Sequence, residues 1–161
     1  MNCTTTRFSD WISIVDDFVA NVAKLSAFPG RVQALVASLS AAQLTFRPHD
    51  TAWSILEHIG HLIDIDRIYM DRITLIRTHE HQPFALFSID GIHQQGNYQA
   101  QSIDTLMATL HATRHTTVQV LRDLTAADIA RIGLDSYFGA ITLARLIEIL
   151  ANHEDEHYNH M

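Results

Sequence analysis

The chain has 161 residues, a length that suits one domain (1–161) burying roughly two-thirds of the surface its unfolded form would expose. Its net charge of −7 comes with no basic run, so nothing attracts a phosphate backbone and nucleic acid is not an expected partner. No stretch approaches the ~20 apolar residues that cross a bilayer, so no membrane partner is expected either.

The opening Met-Asn-Cys-Thr-Thr-Thr-Arg lacks the apolar core of a signal peptide, and Cys3 is the only cysteine. An internal disulfide is therefore impossible, and Cys3 reads as a free thiol in a reducing cytoplasm rather than a nucleophile. Histidine is the unusual component. Its 11 residues equal Lys and Arg combined, and imidazole is the commonest metal ligand.

Helical patterns dominate in chain order. Trp11, Ile14, Val15, Phe18 and Val22 recur at one-face spacing and predict a helix from about Ser9 to Leu25. Ala27-Phe-Pro-Gly30 should break it, with a short amphipathic helix following to about Ser38. Ser54-Ile-Leu-Glu57 is a capping box that opens a long helix to about Thr78. The segment from about 80 to 101 holds Pro83, Gly91 and Gly96 and reads as a long loop. Ser102 caps a third long helix to about Leu124, and Thr125-Ala-Ala-Asp128 starts a short helical turn. A loop bounded by Gly133 and Gly139 leads into a last helix from about Thr142. With no convincing strand, the fold class is all-α: an antiparallel four-helix bundle with short extra helices and one long loop.

The last helix carries the strongest chemical signal. With Leu143 at zero on a helical wheel of about 100° per residue, Leu146, Ile147 and Leu150 define the buried stripe. His153 falls near about −80° and His157 near about −40°, prolonging that stripe one turn apart. Two imidazoles four residues apart can share one ion, whereas core-edge histidines satisfied by carbonyls are the plainer alternative. His153-Glu-Asp-Glu-His157 also matches the H-E-x-x-H of metalloproteases. The third ligand of that arrangement would lie downstream, where only His160 follows, so a protease is not expected and the third ligand should come from upstream.

The second long helix offers His58 and His61, and its wheel does not decide between them: phase leans to His58, while Ile65, Ile68 and Ile76 widen the apolar arc towards His61. His111 and His115 lie at the edge of the third helix's core face and read as surface residues. Arg114 points at the core, either as a paired buried arginine or as a bidentate holder of an anionic substrate group.

These residues resemble the DinB superfamily of metal-binding bundles. Trp53-Ser-Ile-Leu-Glu-His-Ile-Gly-His61-Leu-Ile-Asp64 is similar to the family's Trp-Ser segment, Tyr137-Phe-Gly-Ala-Ile-Thr-Leu143 to the loop before its last helix, and His153-Glu-Asp-Glu-His157 to its closing H-x-x-x-H. The resemblance spans about residues 9–161. It implies a metal site of His61, His153 and His157, with His58 at a position where the family is variable and often apolar, and it implies a homodimer. Relatives include thiol S-transferases using bacillithiol or mycothiol and mycothiol-dependent maleylpyruvate isomerases.

Three neutral imidazoles leave a divalent ion its charge and open positions, as catalytic sites require. The expected chemistry is attack of a metal-activated low-molecular-weight thiol on an electrophile; a metal-dependent hydrolase and a non-enzymatic metal-binding module are the alternatives. Zinc is the first candidate ion and nickel the next. Metal-bound histidines commonly donate their second N–H to a carboxylate, which makes Asp64 and Glu154 candidate partners and leaves Glu156 solvated. Glu154, Arg114 and Asp64 are the candidate catalytic groups.

Overall fold

The computed structural model describes residues 8–86 and 96–161. Cys3, the side chain of Trp11 and the part of the expected loop between 87 and 95 lie outside the described residues. Six α-helices are seen among them: α1 Phe8–Val36, α2 Ala41–Thr45, α3 Ile55–Thr78, α4 Ile103–Arg122, α5 Ala126–Ala130 and α6 Leu143–His160. α1, α3, α4 and α6 form the bundle. α1 packs on α4 and α6, and α3 packs closely on α4 and more loosely on α6. No described helix is long and apolar enough to cross a membrane.

The helix starts are written locally. Ser54 accepts from the backbone of Glu57, and the Glu57 carboxylate returns a bond to the Ser54 N–H. Thr125 and Asp128 repeat this reciprocal cap on α5, Ser40 and Gln43 on α2, and Ser102 and Thr142 cap α4 and α6 through their hydroxyls.

Two expectations are corrected. The break at Pro29 does not occur, because α1 runs through it for 29 residues. Proline lacks the N–H that would bond the carbonyl of Leu25, and that carbonyl instead accepts from Arg114 Nη1 at 3.3 Å. Phe28 and Val32, on either side of Pro29, are buried and hold the helix against the core. The second correction lies between α5 and α6. There β1 (Ile132–Asp135) and β2 (Gly139–Thr142) form an antiparallel hairpin, pairing Ile132 with Thr142 and Asp135 with Gly139.

The hairpin is held by its surroundings more than by its own propensity. A Cβ on Gly133 would meet the Phe84 ring, so only glycine allows this approach. Phe84 donates its N–H to Leu134 O, adding the segment after α3 to the edge of β1. Asp135 Oδ1 accepts from the backbone of Tyr137 and Phe138, shaping the turn, and Oδ2 pairs with Arg72 of α3 at 3.2 Å.

The core has two apolar clusters. One gathers Leu25, Ile73, Leu121, Leu143, Leu146 and Leu150, and the other Phe28, Val32, Ile59, Leu62 and Leu110. Between them lies a polar layer of Arg114, Asp66 and Glu154, each almost wholly buried. Arg114 pairs with Glu154 and reaches Asp66 through Nε at 3.4 Å, while Thr117 donates to Asp66 at 2.9 Å. Buried charges are tolerated when they are paired and hydrogen-bonded in this way.

Candidate metal centre

The loosely packed seam between α3 and α6 holds a histidine cluster. Two residues of the first turns of α3, His58 and His61, face His153 and His157 in the last turns of α6. His61 Nε2 is 3.4 Å from His153 Nε2, and His153 Nε2 is 3.2 Å from His157 Nε2. One ring nitrogen from each of His61, His153 and His157 lies within 4.8 Å of the others. His58 enters the same cluster from the other side of His157, Nδ1 to Nδ1 at 2.8 Å.

Trp53, just before α3, covers the cluster. Its ring stacks on His157 at 5.7 Å with planes 22° apart and lies 4.8 Å from the ring of His61. His61 and His58 are buried, and His153 and His157 are half-buried. Burial lowers the His153 pKa below its ordinary 6.5. Burial, joined by repulsion from His153, His61, His58 and His160, pushes His157 down to about 2. Both rings are thus neutral at physiological pH, the form in which imidazole binds a metal.

The spacing fits a metal. In a tetrahedral site with metal–nitrogen bonds of about 2.0–2.1 Å, neighbouring ligand nitrogens stand about 3.3 Å apart. The distances of 3.2 and 3.4 Å fall on either side of that value. A cavity of about 550 Å³ opens beside His153, lined by Tyr69, Arg72, Tyr137, Phe138, Asn152 and Glu156 among others. The hairpin turn supplies its exposed aromatic wall, with Tyr137 86% exposed. His153 Nδ1 is buried and has no hydrogen-bond partner among the described residues.

The candidate acidic and cationic groups go elsewhere. Glu154 faces inward, as its helical phase requires, but its partner is Arg114 rather than a histidine ring. Burial raises its pKa to about 7 against the opposing pull of Arg114. Asp64 accepts from the Tyr98 hydroxyl and pairs with Arg67 at 3.2 Å, rather than with a histidine ring among the described residues. Glu156 is exposed, as expected, and so are His111 and His115. Arg114 is the paired, buried arginine of the two readings open to it.

On the helical wheel of α3, His58 and His61 compete for one inward position. Both are in the cluster, because residues three apart share a helix face. Trp53 belongs to the Trp-Ser motif, and no periodicity reveals its stacking, since it precedes the helix.

No curated protein matches this sequence. Among solved structures, YfiT from Bacillus subtilis superposes with a TM-score of 0.79 at 17% identity, over 99% of this chain and 88% of its own. It is described as a probable metal-dependent hydrolase with an unusual four-helix bundle topology. At that identity the likeness speaks to the fold alone. The family model of the DinB superfamily matches residues 24–161, most of the sequence, and the chain belongs to that superfamily.

Proposed function

We propose that the protein is a metal-dependent enzyme that holds one divalent transition metal through Nε2 of His61, His153 and His157. The observation that carries this reading is the pair of nitrogen spacings, 3.2 and 3.4 Å, between three imidazole rings from two helices. Zinc is the first candidate and nickel the next, since imidazole suits both. When bound, the ion supplies Lewis-acid chemistry, lowering the pKa of a thiol or a water so that the nucleophile forms near neutral pH.

The chain's own residues supply the rest. Trp53 shields one side of the cluster, and the cavity beside His153 gives an electrophile a largely apolar place against Tyr69, Tyr137 and Phe138. The first reading of the reaction is transfer of a low-molecular-weight thiol to that electrophile, as the family resemblance suggests. The second is hydrolysis, favoured by the description of YfiT as a probable metal-dependent hydrolase. A homodimer is the assembly that the resemblance favours, and light scattering giving the 18.2 kDa mass of one chain would exclude it.

The test is a paired screen of zinc- and nickel-loaded protein against chelator-treated protein. Metal-dependent loss of free thiol with an electrophile present supports transfer. Metal-dependent cleavage of esters or amides without thiol supports hydrolysis. A protein that binds metal yet does neither is a non-enzymatic metal-binding module, and the enzymatic reading falls.

A further inference from the structure

His58 is the one cluster histidine with no place in the proposed ligand set, and its position has a chemical consequence. A neutral imidazole carries one ring proton, on Nδ1 or on Nε2. His157 turns Nε2 towards His153 at 3.2 Å and Nδ1 towards His58 Nδ1 at 2.8 Å. If Nε2 is to offer a lone pair to a metal, the proton of His157 must sit on Nδ1. At 2.8 Å two nitrogens share a single proton, so His58 Nδ1 is then the acceptor and the proton of His58 sits on Nε2. One hydrogen bond fixes both tautomers.

We propose that His58 is a positioning residue that orients His157 for the metal, filling with a neutral ring the role a carboxylate or carbonyl commonly takes. This inference rests on the metal reading above. No carboxylate of α6 competes for the role: Glu154 is turned to Arg114, Asp155 to Arg31 at 2.6 Å, and Glu156 is exposed. The packing supports the arrangement. The rings of His58 and His157 meet edge to face at 5.1 Å, and Trp53 lies against both, its centroid 5.5 Å from His58. His58 is 7% exposed, so water has little access to replace it as acceptor. A neutral acceptor also adds no negative charge near the site, which leaves the ion a stronger Lewis acid than a carboxylate would.

The test compares wild type with His58→Phe, which keeps a ring but no acceptor, and His58→Asn, whose side-chain oxygen stands near the position of Nδ1. Nitrogen-15 NMR of the metal-free proteins reads the His157 tautomer directly. Wild type and His58→Asn should carry the proton on Nδ1, and His58→Phe should show a mixture. Zinc affinity should fall about ten- to a hundredfold in His58→Phe and recover most of that loss in His58→Asn. Circular dichroism checks that each variant folds, and His58→Asn stands alone if His58→Phe does not. A wild-type His157 protonated on Nε2, or equal zinc affinity in all three proteins, would overturn the inference while leaving the metal reading intact. Four imidazoles on the wild-type ion by X-ray absorption, against three in His58→Phe, would also overturn it, because His58 would be a ligand. A wild type that binds no zinc would overturn the metal reading itself, and the inference with it.

Discussion

Arg114 Nη1 donates to the carbonyl of Leu25 at 3.3 Å, the carbonyl that Pro29 cannot reach. The same guanidinium pairs with Glu154 of α6 and Asp66 of α3, so one side chain closes the gap in α1 and ties three helices together. Arg114→Met would strand two buried carboxylates, and urea unfolding should show a loss of about 3–5 kcal/mol. Pro29→Ala restores the missing N–H and should be more favourable in the Arg114→Met background than in wild type. Strict additivity of the two substitutions would contradict this account of why α1 continues.

The acid behaviour of the metal-free protein follows from two opposing shifts. His153 and His157 lie below their ordinary 6.5 in the fold, so the unfolded chain binds more protons and stability falls as pH drops below about 6.5. Glu154 has the opposite sign. Its folded value of about 7 exceeds the ordinary 4.5, so its contribution is full below 4.5 and is lost as pH rises through about 7. Glu154→Gln removes that opposing contribution. Its melting temperature should therefore fall more steeply than that of wild type between pH 7 and pH 5. Parallel curves would show that Glu154 does not titrate in this range.

The limits of α3 and α4 could be read from the sequence because Ser54, Glu57 and Ser102 act within one turn of themselves. His153 and His157 were readable for the same reason, since a helical wheel places both on the buried stripe. What escaped depends on partners far along the chain. Pro29 should end a helix by local rules, and the donor that spares it lies at position 114. The β1–β2 hairpin has four-residue strands and two glycines, and it gains its shape from Phe84 and Arg72. A helical wheel turns Glu154 inward, where it is buried, but gives direction without naming the neighbour, which is Arg114.

Trp53 offers an optical probe of the centre. Its ring lies 4.8 Å from His61 and stacks on His157. Nickel or copper bound by the triad should quench part of the tryptophan emission, saturating at one equivalent. Trp53→Phe should abolish the quench while leaving metal stoichiometry unchanged. A quench that survives in Trp53→Phe would place the ion elsewhere.

Chelation should separate the metal's role from that of the core. An ion bound only by the native state adds about 2.7 kcal/mol at a hundredfold excess over its Kd. Removing it should lower the melting temperature but preserve the helical circular dichroism, because neither apolar cluster is built from the ligand histidines. Loss of the helical signal on adding EDTA would make the site structural and weaken the enzymatic reading.

Calorimetric titration of zinc into chelator-stripped protein tests the central claim most directly. Wild type and His58→Ala should each take up one ion per chain, with weaker affinity in His58→Ala. His61→Ala, His153→Ala and His157→Ala, each still helical, should show no stoichiometric uptake. A wild type that binds no ion, or three triad variants that bind as wild type does, would contradict a metal centre built from these rings.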